Sequence, residues 1–117
     1  MSSRVGDTEA GFSVELDEAT RTVTVRGWGF WNADVALAFA TAVLGACRRG
    51  RATGLVFETS ELRPQREEGQ EAIATMLAGL GLAGVARVSV VTRNPLTRLQ
   101  ILRIVKERNL KDLVQLS

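Results

Sequence analysis

Apolar residues recur along this chain at two spacings, and the switches between them lay out the elements. Phe12, Val14 and Leu16 alternate with Ser13, Glu15 and Asp17, and Val23 and Val25 alternate with Thr22, Thr24 and Arg26. A period of two is what half-buried strands show. The turn-forming stretch from Asp17 to Thr20 joins the two runs as a hairpin. Asn32 is placed to cap a helix in which Val35, Phe39, Val43 and Ala46 recur at helical spacing. Arg48 and Arg49 then meet the negative end of the helix dipole and Gly50 stops it. Leu37 and Leu44 project away from the Val35–Phe39 stripe, so this helix is either covered on two sides or offers an apolar flank to something else.

Gly54-Leu-Val-Phe-Glu58 is a short apolar run between turn signals and reads as a central strand. Glu67, Glu68 and Glu71 follow where a helix N-terminus favours carboxylates. Ile73, Met76, Leu77 and Leu80 share one face of that second helix, opposite Glu67, Glu71 and Ala74. Residues 85–92 form a strand with Val88 and Val90 on one side. Asn94-Pro95 opens a third helix in which Ile101, Leu102, Ile104 and Val105 cluster, while Leu96 and Leu99 fall among Arg103 and Lys106. Asn109 ends it, and Leu113 to Leu116 closes the chain as a short strand. The order is β-β-α-β-α-β-α-β, an α/β single-domain mixed sheet with the hairpin antiparallel and the later strands parallel through helical crossovers. Residues 1–10 are read as a flexible N-terminal tail and residues 11–117 as the domain.

Composition narrows the chemistry. A chain of 117 residues has no histidine and one cysteine, Cys47, so the usual metal ligand, general base and thiol partner are missing and no internal disulfide forms. No metal and no cofactor is expected. No apolar run is long enough to span a membrane and no secretory leader is seen, which points to a cytoplasmic protein. The net charge of +2 does not favour nucleic acid, yet it is unevenly placed. From Val85 onward seven basic residues face two acidic ones, leaving +5 there and −3 in the first 84 residues. That segment is either a solvated basic surface or one made for an acidic partner.

Gly79-Leu-Gly-Leu-Ala-Gly84 matches G-x-G-x-x-G, but the glycines follow a helix and precede a strand, the reverse of a dinucleotide site, and read as a helix stop and turn. Glu58, Glu61, Glu67 and Glu68 are the carboxylates available for acid–base work, although their spacing assigns no catalytic pair and no catalytic residue is named. Trp28-Gly-Phe-Trp31 holds three of the six aromatic residues. It is either a plug beneath a loop or an anchor; on the second reading Trp28, Phe30, Trp31 and Phe39 line a pocket for a small apolar or lipid-like ligand. Thr59 to Arg66 lies at the carboxyl end of the central strand, where open α/β sheets place binding sites. Arg63, Arg66, Glu67 and Glu68 are the candidate partner-binding residues there, and Thr59 and Ser60 the candidate phosphoacceptors.

The order of elements, the length and the strand-loop-helix from Leu55 to Leu80 together resemble the STAS family, the anti-sigma-factor antagonists and their SpoIIAA-like relatives, over Phe12 to Leu116. The resemblance implies a non-enzymatic bacterial signalling domain that binds a protein, such as an anti-sigma factor or kinase-like regulator. In those antagonists a D-[ST]-[ST]-G segment leads into the second helix, and its hydroxyl accepts phosphate. The matching stretch here is Arg63-Pro-Gln-Arg-Glu-Glu-Gly69, which has no hydroxyl and places Glu67 or Glu68 near the acceptor position. Either a carboxylate imitates the charged state or the switch is absent. A homodimer through the apolar flank of the first helix is a further candidate association.

Overall fold

A computed structural model describes residues 2–117, which form six strands and three helices. In chain order they are β1 (Ser2–Gly6), β2 (Gly11–Asp17), β3 (Thr22–Gly29), α1 (Ala33–Arg49), β4 (Gly54–Leu62), α2 (Glu67–Leu80), β5 (Arg87–Val91), α3 (Pro95–Glu107) and β6 (Val114–Leu116). The strands lie side by side in that same order. β1, β2 and β3 pair antiparallel, and β3 to β6 pair parallel. Each parallel neighbour is reached through one helix. Crossovers of one hand in a sheet that grows in one direction put every helix on the same side, so the result is two layers, helices over a sheet.

Alternation along the strands shows which side is covered. Phe12, Val14, Val23, Val25, Leu55, Phe57, Val88 and Val90 are buried beneath the helices, while Glu15, Arg26 and Ser89 between them are exposed on the open face. An aromatic cluster joins Phe12, Trp31, Phe39 and Phe57. The Phe12 and Phe39 rings meet edge to face at 5.0 Å between centroids, and Trp31 tilts against Phe39 at 4.6 Å. Such pairs stabilise by about 0.5–1.5 kcal/mol beyond the area they bury.

The helix ends follow the side chains at them. Asn32 Oδ1 accepts from the amide of Val35 at 2.9 Å, and Asn94 Oδ1 accepts from Leu96 and Thr97. Asn109, at φ 57°, turns the chain out of α3. The glycines of the G-x-G-x-x-G stretch form a turn after α2, Gly84 at φ 93° and the Val85 amide donating back to the Leu80 carbonyl. No helix among the described residues is long and apolar enough to cross a membrane.

Three sequence expectations need correction. Of the expected tail over residues 1–10, Met1 lies outside the described residues and the rest is not free: Ser2–Gly6 pairs with β2 and adds a strand ahead of the expected order. Only Val5 of that strand packs on the core, so an edge strand that is polar on nearly every side left no periodicity to read. A turn at Asp7 closes the new hairpin; its Oδ1 accepts from the amides of Glu9 and Ala10. Those bonds, that of Ala10 first, hold the Asp7 carboxyl below its ordinary range. Ala74 is buried rather than outward, because α2 is flanked by α1 on one side and α3 on the other. Leu102 is half exposed, because α3 is the last helix of the layer and has a neighbour on one side alone.

Candidate functional site

The segment linking β4 to α2 is built around Gln65, which is buried. Its Oε1 accepts from the Trp31 amide at 3.0 Å, and its Nε2 donates to the carbonyls of Gly29 at 3.0 Å and Arg63 at 2.7 Å. Its own backbone is gripped from two helices: the amide donates to Gln100 Oε1 at 2.8 Å, and the carbonyl accepts from Gln100 Nε2 and Gln70 Nε2. One glutamine thus ties the end of β3, the loop before α1, α2 and α3 into one unit. Gly69 makes room for it, since a Cβ there would meet the Gln65 side chain at 2.7 Å. A buried network with every partner present fixes a loop in one conformation, whereas one left half-paired is costly. Sequence reasoning missed Gln65 because a glutamine in a polar loop carries no mark of burial.

This frame sets out the exposed residues around it. Arg66 precedes α2 with extended backbone and no side-chain cap of its own. Its guanidinium lies over the ring of Phe30, 5.1 Å from the centroid, which joins the β3–α1 loop to the start of α2. Arg63 is exposed at the start of the same link, directly after β4. Glu67 and Glu68 occupy the first turn of α2 but diverge. Glu68 borders an open groove of about 520 Å³ between α1 and α2, whose floor and walls include Ala36, Leu37, Ala40 and Ala72. Glu67 borders a smaller cleft between α2 and α3 together with Arg103, Glu107 and Arg108. That second cleft is tied shut by Arg108 donating to Glu71 Oε1 at 3.0 Å and by Arg103 donating to Gln70.

The α1–α2 groove is one of the places where apolar surface is left uncovered, as it also is at Leu82 after α2 and at Leu96 and Leu99 on α3. Leu37 is 82% exposed at its rim. Leu44, expected on the same outward flank, instead packs against Gly79 of α2, where a Cβ would meet it at 2.8 Å. The outward flank of α1 foreseen from the sequence is therefore divided: the half at Leu44 is closed by α2, and the half nearest the N-terminus, at Leu37, stays open.

Other candidates separate. Thr59 is fully buried and its hydroxyl donates to the Val91 carbonyl at 2.6 Å, so it offers no oxygen to a kinase. Ser60, its neighbour, lies half-buried on the opposite face of the sheet. The four aromatics do not form one pocket. Trp31 and Phe39 fill the core against each other, Phe30 is at the surface under Arg66, and Trp28 lies on the open face. The reason is strand alternation: Trp28 is still in β3 with its side chain turned from the helices, while Trp31 follows the strand and enters the helix layer. Cys47 is buried in the core, and burial pushes its thiol up to about 11, leaving no thiolate at neutral pH.

With that geometry in place, comparisons with known proteins address the architecture. No protein-family model matches the sequence, and no curated protein matches it. Eight chains of solved structures match its fold. Among them is an anti-sigma factor antagonist from Mycobacterium paratuberculosis, 22% identical, aligned over 99% of this chain and 85% of that chain with a TM-score of 0.60. The chain has the STAS-like fold of such antagonists: one mixed sheet with helices on one face, as the resemblance in the sequence implied.

Proposed function

We propose that this chain is a regulatory module that binds another protein through the start of α2 and the groove beside it, without catalysing a reaction. The observation that carries the reading is the apolar α1–α2 groove with Leu37 exposed at its rim and Glu68 and Glu71 along its edge, on the helix whose N-cap is Arg66. An exposed apolar strip edged by charged residues is the composition of a docking surface, with an apolar centre for affinity and charges at the rim for orientation. The Gln65 network holds that surface rigid, which lowers the ordering cost of association.

The likeness in fold to an anti-sigma factor antagonist supports a partner of the anti-sigma or kinase-like kind in a bacterial cytoplasm. Phosphate control is not part of the proposal. The stretch Arg63–Gly69 has no hydroxyl, Thr59 is sealed in the core, and Glu67 and Glu68 already supply negative charge at the dipole of α2. A phosphate would add charge where charge is already fixed.

The test is a titration of the purified chain against each anti-sigma-type regulator of its source organism. Replacing Arg63→Glu and Arg66→Glu together, or Leu37→Asp alone, should weaken the complex at least about ten-fold, the scale of a lost interface anchor. Thermal stability should stay within about 0.5 kcal/mol of the parent, as for ordinary surface changes. Equal affinity in all three proteins would show that the partner does not bind at the groove.

A further inference from the structure

The open face of the sheet carries a hollow that the docking surface does not use. It measures about 370 Å³ and sits at the carboxyl ends of β3 and β4, lined by Arg26, Trp28, Glu58, Ser60, Glu61 and Arg93. The sheet separates it from the α1–α2 groove. Open α/β sheets place ligands beyond the carboxyl ends of their strands, and this volume is within the range of small-molecule sites.

A register irregularity makes the hollow. Arg26 pairs with Glu58 and Trp28 with Glu61, so β4 spends one more residue than β3 over the same span. Strict alternation would send Ser60 and Glu61 to opposite faces; with the bulge both line the hollow, while Thr59 turns into the core. Glu58 Oε1 accepts from the Ser60 amide at 2.8 Å, which holds the bulge in shape. The wall on the β3 side is equally fixed. Trp28 Nε1 donates to the Asp7 carbonyl at 2.7 Å, and the guanidinium of Arg4 lies 4.6 Å from the ring centroid.

The charges around the hollow are balanced but do not close on one another. β4 supplies two carboxylates in the middle, and β3 and the segment after β5 supply a guanidinium on each flank. Yet the ion pairs among the described residues are Arg103–Glu107 and Arg108–Glu71, both elsewhere. Opposite charges that face one cavity without pairing are arranged to be paired by something that carries both signs. A dianion such as phosphate would be repelled by Glu58 and Glu61, and a simple cation would leave the arginines unmatched.

We infer that this hollow binds a small zwitterion of the amino-acid class. Its ammonium sits over Glu58 and Glu61, its carboxylate reaches a flanking guanidinium of Arg26 or Arg93, and its side group lies along the fixed indole of Trp28. The site is independent of the proposed docking surface, and its failure would leave that surface untouched.

The experiment is an amide-proton NMR titration of the intact chain with each free L-amino acid, with butyrate and butylamine as single-charge probes. At least one amino acid should shift the Arg26, Trp28 and Ser60 resonances saturably, and both single-charge probes should bind about ten-fold more weakly or worse. Arg26→Gln and Glu58→Gln, each checked for an unchanged thermal transition, should each weaken the same titration by about ten-fold. No saturable shift at these residues with any amino acid up to about 10 mM, a limit that still detects millimolar affinity, overturns the assignment. Binding that is indifferent to both substitutions does so equally.

Discussion

Trp28 and Trp31 stand three residues apart and end on opposite faces of one sheet. Trp31 enters the helix layer, where its ring packs on Phe39 and Phe12 and its Nε1 donates to the Gly11 carbonyl at 2.8 Å. Trp28 stays on the open face, pinned by Asp7 and overlain by Arg4, as the wall of a charged hollow. The same contrast runs through β4, where Thr59 is sealed against Val91 and Ser60 faces the hollow. A strand gives each side half its residues, so a chain this short can build its core on one side and keep the other for recognition. Stability should therefore sit on the helix face and selectivity on the open face and at the helix ends.

The sharpest way to break that division is to cut equally into both faces. Phe39→Ala, in the middle of the aromatic cluster, should destabilise by about 3–5 kcal/mol in a guanidinium unfolding titration. Arg26→Ala should move the same midpoint by no more than about 0.5 kcal/mol. Comparable losses would mean that the open face also carries the fold. Next in size is Gln65→Ala, expected to cost about 1–3 kcal/mol, since it strands the Trp31 amide and the Arg63 carbonyl, while the Gly29 carbonyl keeps only its bond from the Arg63 amide. That variant should also raise hydrogen exchange from residue 63 to residue 70. Full protection there would show that the loop is held by something other than the glutamine.

The effect that is smallest at neutral pH, and grows only in alkali, concerns Cys47. Its thiol is raised from 9.0 to about 11 by burial, so the unfolded chain loses its proton first as pH rises. The contribution is fully present below pH 9 and fades between pH 9 and about 11, the window between the two values. Urea midpoints should fall across that window less steeply in Cys47→Ala than in the parent. Parallel slopes would place the thiol in contact with water.

Much of the frame was legible because it rests on local rules. The β2–β3 hairpin, both asparagine caps, the stop at Asn109 and the buried stripes of α1 and α2 each follow from spacing or from one side chain's hydrogen bonds. Residues whose role depends on distant neighbours were misplaced. β1 shows too little apolar periodicity to be seen without its partner, Ala74 is covered by α3, and Leu102 is left open because no further helix follows in the layer. The candidate surface was legible in part: Arg66, Glu67 and Glu68 were placed at the start of α2, but nothing in the sequence says that Glu67 and Glu68 diverge towards different clefts.

By itself the sequence determined the kinds of element, their order past β1 and the absence of histidine and paired cysteine chemistry, because periodicity and composition are properties of neighbours along the chain. Tertiary structure alone decided that Gln65 is a buried clamp, that Leu37 is open where Leu44 is closed, and that a bulge gathers Glu58, Ser60 and Glu61 beside Arg26. Each of those outcomes depends on which residues from separate elements meet, and one-dimensional spacing does not record that meeting.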